Sequence, residues 1–326
     1  MRSDAALRVT RVLSLRRSLA AITALLVTSA SCAPRDHHVA KSKPVIRLMT
    51  GTPGGGFYPL GQSLAAAYRS DVDVDHRESP GSVNNVVALQ TERADIALAY
   101  ADVAYFAFAG TLEGHPERFD RLRGIAVLQR APVHLVARAG SGIADVAGLR
   151  GKRVGVGTQG SGTALTAALV LHTFGIDPTS VRTQQLRYDE AAARLLSGQL
   201  DAMFVIGADP IETVRLAANN GARIVPLTGP PIERLRKEYP FFSPAVIHAG
   251  LYTGHSDPVH TIGVENLLLC RSDLDEELVH DLTARLFSSL PALPLLRTID
   301  LEQAPAVPIP LHDGAARFYR ERELFR

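Results

Sequence analysis

Strand-like and helix-like segments alternate along most of this chain, and this alternation constrains the fold more than any other feature of the sequence. In the first half the order is strand "VIRLM", a helix over 59–68, strand "VDVDHRE", helix "VNNVVALQTE" and strand "DIALAY". The second half repeats the rhythm, from "KRVGVG" and "ALTAALVLHTFG" to "DAMFVI" and "IETVRLAANNG". Strands that alternate with helices predict an α/β fold with mainly parallel sheets flanked by helices.

Two distant stretches, "TERADIALAY" and "LSGQLDAMFVI", follow the same plan. In each of them a helix ends, the chain turns, and Asp95 or Asp201 begins an apolar strand. This duplication favours two similar α/β lobes.

The first 32 residues form a segment that we interpret as a secretory signal. Five Arg residues precede the apolar run "LAAITALLV", and small residues follow it up to Cys32. The apolar run is too short for a membrane span. Cys32 stands where a bacterial lipoprotein signal places its acylated cysteine, although Ser29 replaces the usual aliphatic residue, and ordinary cleavage nearby is the alternative. Acylation would anchor an extracytoplasmic protein to the membrane.

The polar, unpatterned stretch "APRDHHVAKSKP" (33–44) predicts a tether, in which His37 and His38 are better interpreted as solvated than as metal ligands. The whole chain carries a formal charge of +2, and the five Arg and one Asp of residues 1–31 leave about −2 for the rest. Nucleic acid is therefore not an expected partner. Cys270 lies in the apolar run "NLLLC", which predicts a buried thiol and not a disulfide to Cys32.

The stretch "VGVGTQGSGTALTAALVL" (154–171) has the spacing G-x-G-x-x-G between a strand and a helix, as dinucleotide sites do. Such sites need an acid about twenty residues further on, at the end of the next strand. Asp177 falls in a turn and Asp189 comes late, so an NAD-linked enzyme stays only as an alternative.

Other catalytic interpretations of this loop fit less well. A triphosphate-binding loop needs Lys where Thr163 stands. A serine nucleophile elbow needs glycines where Gln159 and Thr163 flank Ser161. The sequence also has no HExxH motif and no clustered Cys/His motif. We therefore do not expect an enzyme.

The loop is a good anion site in itself. Its N–H groups lie at a helix N-terminus, where the helix dipole favours negative charge, and Ser161 and Thr163 add hydroxyls. Judged alone, simple helix capping is the stronger interpretation. Three more segments, "TGTPGGGFYPLG", "SPGSVNNVVAL" and "AYADVAYFA", lie at presumed carboxyl ends of strands. Open α/β sheets bind ligands at that edge, so the four segments together predict a ligand site.

These segments resemble the TAXI family of solute receptors for tripartite ATP-independent periplasmic (TRAP) transporters. The resemblance covers about residues 45–325 and lies in "TGTPGGGFYPLG", "GSVNN", "ADVA", "APVHLVARAGSGIADVAGLRGKRVGVGTQGSGT", "GQLDAMFVIGADP", "HAGLYTG" and "IPLHDGAARFYRE". Two residues depart from the family pattern. Gln129 stands where the family often has Tyr, and Asp209 stands where the family usually has an uncharged residue.

The resemblance implies a type II periplasmic-binding-protein fold, with two lobes that close on a ligand between them. The segments "VHLVARA" and "TIGVENLLLC" are then the hinge strands. The expected first lobe is 45–138 plus 260–326, and the expected second lobe is 139–259.

The resemblance also implies a ligand site, for which we expect Thr52, Phe57, Tyr58, Ser82, Asn85 and Asp102 from the first lobe and Thr158, Ser161, Gly162 and Thr163 from the second. Tyr58 would stack on the solute or hydrogen-bond to it. Asp102 would either pair with an ammonium group or cap a helix, and His134 would either orient the hinge or be a satisfied buried histidine. The loop amides, Ser161 and Thr163 would hold a carboxylate, because no arginine has motif support apart from the off-pattern Arg130.

The implied function is that of a receptor that binds an acidic amino acid or a dicarboxylate and delivers it to TRAP permease subunits in the membrane. Neither a cofactor nor a metal is implied. The implied location is extracytoplasmic, with the lipid on Cys32 as anchor. A ligand-binding lipoprotein that serves a sensor is the alternative.

Overall fold

Strands and helices alternate along residues 43–324, the part of the chain that this computed structural model describes. The predicted signal, Cys32 and residues 33–42 of the predicted tether lie outside the described residues. The strands are β1 (Val45–Met49), β2 (Asp73–Arg77), β3 (Ile96–Tyr100), β4 (Leu122–Ala137), β5 (Arg153–Gly155), β6 (Arg182–Gln184), β7 (Ala202–Ile206), β8 (Arg223–Val225), β9 (Phe242–Ile247) and β10 (Val259–Arg271). The helices are α1 (Phe57–Tyr68), α2 (Ser82–Gln90), α3 (Ala101–Ala109), α4 (Gly162–Thr173), α5 (Tyr188–Leu196), α6 (Glu212–Asn219), α7 (Pro230–Glu238), α8 (Glu276–Ser289) and α9 (Asp313–Arg320).

The strands form one mixed, ten-stranded sheet in the order β2-β1-β3-β10-β4-β7-β5-β6, with β9 on β10 and β8 on β4. Each half of the sheet has the same plan. A parallel set, β2-β1-β3 or β6-β5-β7, ends against a long antiparallel strand, β10 or β4. We call the half built on β1, β2 and β3 lobe one and the half built on β5, β6 and β7 lobe two. The residue boundaries predicted for the lobes stay a prediction.

The strands β4 and β10 connect the two lobes. They pair with each other along Leu122–Pro132 and Gly263–Arg271, with register shifts between Asn266 and Leu267 and between Leu268 and Leu269. Beyond this ladder, β4 continues along β7 in lobe two. The later part of β10 pairs with β3 in lobe one. The predicted hinge segments therefore lie in two neighbouring strands.

Apolar side chains from both halves of the sheet form the core, and Cys270 lies within it as a buried free thiol, as predicted. Burial raises the pKa of this thiol far above its usual value. Within residues 43–324, no helix has both the length and the apolar character of a membrane span. The longest of these helices, α8, has 14 residues, against about 20 for a span.

Candidate functional site

A small cavity of about 60 Å³ lies between the two lobes, at the carboxyl ends of their parallel strands. Lobe one contributes the segment after β1, the start of α2 and the end of β3. Lobe two contributes the loop before α4, the segment before α5 and the end of β7. The lining residues are Gly51, Thr52, Pro53, Gly54, Gly55, Gly56, Phe57, Pro80, Gly81, Ser82, Tyr100, Thr158, Ser161, Gly162, Thr163, Leu186, Arg187, Tyr188 and Ile206.

The glycine loop of lobe one presents backbone donors to this cavity. The Gly55 N–H donates to the Thr52 carbonyl over 3.0 Å, and this turn leads directly into α1. The N-cap residue Gly56 has no side chain to accept a hydrogen bond. Among the described residues, the N–H groups of Gly56 and Phe57 have no acceptor. The loop therefore leaves donors at a helix N-terminus, where an anion would be stabilised.

The loop of lobe two presents donors in the same way, and Ser161 has a second role there. The Ser161 hydroxyl accepts the Ala164 N–H over 3.2 Å and so caps α4. The N–H groups of Gly162 and Thr163 find no acceptor in the described part of the chain. The Thr163 hydroxyl lies 2.6 Å from that of Tyr188. Ser161 thus both caps its helix and lines the cavity.

Glycine is required in this loop because the two lobes approach each other closely. A Cβ on Gly162 would lie 2.8 Å from the Ser82 hydroxyl and would overlap the Tyr100 ring of lobe one. A Cβ on Gly160 would overlap the side-chain amide of Asn84, and the φ of Gly160 is +78°. Of the motif glycines, Gly160 is therefore required by lobe contact, whereas Gly157 has a φ of +87° and packs within its own loop. A cavity of about 60 Å³ is far too small for a dinucleotide.

Hydrogen bonds across the cleft show that the lobes are closed. The Tyr100 hydroxyl of lobe one donates to the Ile206 carbonyl of lobe two over 3.0 Å. The Thr158 hydroxyl of lobe two donates to the Pro80 carbonyl over 3.1 Å. The carbonyl of Gly160 accepts the N–H groups at the start of α2. The Tyr100 bond is buried and the Thr158 bond is exposed, so the Tyr100 bond contributes more to the stability of the closed state.

Seven of the ten expected ligand-binding residues line the cavity: Thr52, Phe57, Ser82, Thr158, Ser161, Gly162 and Thr163. The Phe57 ring packs against Tyr100, with 4.8 Å between the ring centroids. The Ser82 hydroxyl accepts the Tyr100 N–H over 3.0 Å and fixes the end of β3.

The structure places Tyr58, Asn85 and Asp102 away from the lining. Tyr58 packs against His76, with 5.2 Å between the ring centroids, because the start of α1 turns it to the outer side of the helix. Asn85 is buried and donates to the Thr50 and Leu98 carbonyls, so it ties β1 to β3. These two side chains stabilise lobe one and are not brought to the cavity.

Asp102 lies behind the cavity and joins the lobes. Its carboxyl accepts the Thr166 hydroxyl of α4 over 2.7 Å and the Val103 N–H over 2.7 Å. The side chain is fully buried, and burial raises its pKa to about 6. The Val103 contact places this carboxyl in the first turn of α3, and the expected pairing of Asp102 with an ammonium group of the solute stays a prediction.

The off-pattern Asp209 belongs to a network on the hinge side of lobe two. Its carboxylate lies 2.8 Å from His134 Nε2 and accepts the Tyr252 hydroxyl over 2.7 Å. His134 is fully buried on β4, and its Nδ1 lies 3.1 Å from the Pro132 carbonyl. His134 is therefore a satisfied buried histidine at the hinge, and Asp209 is its partner.

The other two off-pattern residues also lie elsewhere. Gln129 on β4 contacts the Thr298 hydroxyl at 3.4 Å, and Arg130 pairs with Glu265 on β10 at 3.0 Å. Neither residue lines the cavity.

Sequence reasoning missed Tyr100, Arg187 and Tyr188 as site residues. Arg187 and Tyr188 follow β6, so the rule that ligands bind at the carboxyl ends of parallel strands would have found them. The segment "QQLRYDE" follows its strand in the same way as the four segments named above. Tyr100 ends β3 in the segment "AYADVAYFA", in which Asp102 is the expected site residue.

Comparisons with known proteins agree with this architecture. The model of the NMT1-like family matches residues 48–322. A solved structure described as a periplasmic transporter has 13% identity and a TM-score of 0.56, over 86% of this chain and 94% of that chain. A protein from Xanthomonas citri, bound to ATP, has 14% identity and a TM-score of 0.52, over 87% and 100% of the two chains. These two likenesses confirm the predicted α/β fold of the periplasmic-binding-protein type.

An ancestral arginine-binding protein, solved with arginine, is a further neighbour. It has 16% identity and a TM-score of 0.48, with 86% of this chain and 98% of that chain covered.

Proposed function

This chain belongs to the NMT1-like family, and from that premise we propose that it is an extracytoplasmic solute-binding receptor. It captures a small carboxylate-bearing solute by lobe closure and delivers it to a membrane permease of the TRAP type. The TAXI-like motifs of the sequence support the choice of permease. The secretory signal and Cys32 support export and a lipid anchor.

One observation carries this proposal: the cavity is built from both lobes at once. A solute held there contacts the glycine loop of lobe one and the α4 loop of lobe two simultaneously. A ligand stabilises the closed state only through contacts that the open state cannot make. Binding in this cavity is therefore coupled to closure, and closure gives a permease a shape to recognise.

The donors around the cavity support an anionic solute. The helices α1 and α4 both begin at the cavity, each with N–H groups that lack an acceptor among the described residues. Helix N-termini favour carboxylates through these donors and through the helix dipole.

The site is better suited to binding than to catalysis. The Ser161 hydroxyl is engaged by the α4 N-terminus, and within residues 43–324 no histidine lines the cavity. A serine nucleophile needs an adjacent general base within hydrogen-bond reach. We therefore propose no enzymatic activity.

A thermal-shift screen of the purified mature protein against organic acids, amino acids and sulfonates tests the proposal. A solute at one hundred times its Kd should add about 2.7 kcal/mol of stability. Small-angle scattering with the same solute should then show a more compact particle. If no compound in the panel shifts the melting temperature, and scattering stays unchanged throughout, the receptor function is wrong.

A further inference from the structure

We infer that the solute is a carboxylic acid without an ammonium group, and that Arg187 recognises its charge. This inference rests on the proposed function and narrows the solute class, because an acidic amino acid and a simple organic acid are both compatible with that function. It is drawn from the charges around the cavity.

Arg187 is the one charged side chain among the lining residues that the structure describes. It stands at the N-cap of α5, next to Tyr188 at the mouth of the cavity. Its Nη2 donates to the Pro53 carbonyl of lobe one over 3.1 Å, and its Nε donates to Asp189 over 3.2 Å. A guanidinium has five N–H donors in a planar fork, so three remain for a carboxylate. Arg187 can therefore hold the solute and connect the lobes together.

None of the described lining residues carries a negative charge that could balance an ammonium. Asp102 lies behind the lining, where it accepts the Thr166 hydroxyl. Asp189 is mostly exposed and faces Arg187 and the Glu190 N–H. A cation taken out of water without a counter-charge is strongly disfavoured.

Four of the backbone carbonyls around the cavity already accept a hydrogen bond from the protein. The Pro53, Pro80 and Ile206 carbonyls accept Arg187, Thr158 and Tyr100 respectively. The Thr52 carbonyl accepts the Gly55 N–H. Donors, by contrast, remain available from both helix N-termini and from Arg187. The site therefore complements acceptor-rich solutes, as carboxylates are, and is poorly suited to a donor-rich ammonium.

Calorimetric titration at pH 7.5 with matched pairs tests the solute class: acetate and glycine, propionate and alanine, succinate and aspartate, glutarate and glutamate. We expect at least one acid to bind, and to bind at least tenfold more tightly than its amino-acid partner. An amino acid that binds as tightly as its matched acid would overturn this part of the inference.

The role of Arg187 is tested with Arg187→Gln, Arg187→Lys and the matched control Arg215→Gln, which removes an exposed charge on α6 away from the cavity. We expect Arg187→Gln to lose at least tenfold in affinity for the acid, Arg187→Lys to lose less, and Arg215→Gln to match the wild type. To separate charge recognition from lobe contact, the amide of the acid is titrated as well. The ratio of the affinity for the acid to the affinity for the amide should fall close to one in Arg187→Gln. Unchanged acid affinity, or an unchanged acid-to-amide ratio, contradicts the role of Arg187.

Failure of this inference is distinguishable from failure of the proposed function. If none of the eight probes binds but an amino acid or a sulfonate of the thermal-shift panel closes the lobes, the solute class is wrong and the receptor function stands. If nothing in either set binds, the receptor function itself is wrong.

Discussion

Each lobe contains an Asp–Arg ion pair, and the two ion pairs have the same pattern of contacts. In lobe one, Asp95 accepts the backbone N–H of Arg47 over 2.8 Å and the Arg47 guanidinium through both carboxylate oxygens. In lobe two, Asp201 accepts the backbone N–H of Arg153 over 2.9 Å and its guanidinium in the same two-oxygen manner. The duplicated sequence plan around Asp95 and Asp201 is therefore a duplicated structure.

The lobes differ at the opposite, carboxyl ends of their strands. Lobe one presents backbone groups, aromatic rings and hydroxyls to the cavity, and none of its described lining residues is charged. Lobe two presents hydroxyls and the one charge, from Ser161, Thr163 and Arg187. The ion pairs, which lie away from the cavity, are thus the same in both lobes. The side chains that line the cavity differ between the lobes. The predictions below test this division, from the largest expected effect to the smallest.

The repeated ion pairs should contribute unequally to stability. The second arginine near Asp95, Arg271, is 13% exposed, whereas the second arginine near Asp201, Arg138, is 32% exposed. Asp95→Ala removes the carboxylate from Arg47 and leaves the better buried Arg271 with only the exposed Asp273 as a partner, so we expect it to cost about 3 kcal/mol. Asp201→Ala should cost less. Urea unfolding at pH 7 measures both, and a larger loss in Asp201→Ala would refute this ranking.

Lowering the pH should remove the contribution that the Asp95 ion pair makes to the free energy of unfolding. Burial disfavours the charge of Asp95, yet the hydrogen bonds from Arg47 hold its pKa below the ordinary value. Because the pKa is lowered on folding, the stabilisation is present above the unfolded pKa of about 4 and is lost as pH falls through the folded value.

The close approach of the lobes should be sensitive to one methyl group. In Gly162→Ala the new Cβ meets the Tyr100 ring, which is held by Phe57 and Ile206 and cannot move away freely. Alanine favours the helix, so lobe two should remain stable while solute affinity falls by about 2 kcal/mol, or roughly 30-fold. Gly148→Ala is the matched control, because its Cβ would have 3.5 Å to the nearest atom. Wild-type affinity in Gly162→Ala would mean that closure does not require this contact.

Closure should take up a proton at Asp102. Its pKa is raised to about 6 by burial between the lobes, against about 3.9 when the carboxyl faces water in an open cleft. The closed state therefore binds the proton more tightly, and its stabilisation is lost as pH rises through 6. We expect solute affinity to increase about tenfold from pH 7.5 to pH 5.

Asp102→Asn provides the control for this pH effect. The amide keeps an acceptor for the Thr166 hydroxyl and has no charge to bury, so its affinity should stay flat over the same pH range. An equally steep pH dependence in Asp102→Asn would assign the proton to another group.

Two serines in equivalent places compare the loops directly. Ser161 caps α4 in lobe two, and Ser82 begins α2 in lobe one while accepting the Tyr100 N–H. Ser161→Ala should lower stability by about 1 kcal/mol through the lost cap and should weaken solute binding. Ser82→Ala should instead loosen the end of β3. Solute affinity in Ser161→Ala that equals the wild-type value would remove Ser161 from the binding site.

The fold and the location of the candidate site could be predicted from sequence because both follow from local patterns, and the comparisons confirm the fold. Alternating strands and helices fix the sheet type, and the glycine loops mark the carboxyl ends of the strands. The side chains at the site could be predicted only in part. Tyr58 directly follows Phe57, yet a helix turns successive residues by about 100°, so the two cannot face the same cavity.

Long-range partners explain the remaining differences. The carbonyls bound by Asn85 and the hydroxyl bound by Asp102 come from segments that are distant in the chain. The local sequence pattern does not predict such contacts. Asp209 shows the same limit, because its effect depends on His134, which lies 75 residues earlier.

The ladder between β4 and β10 has a mechanical consequence. When flexible loops connect two lobes, closure must order those loops, and this costs conformational entropy. Here a hydrogen-bonded ladder that is already ordered joins the two lobes. Closure therefore bends this ladder and does not have to order a loop. Because the register shifts next to Asn266, we expect the ladder to bend most easily there. Substitutions there should change the affinity for every solute by a similar factor and should leave the specificity unchanged.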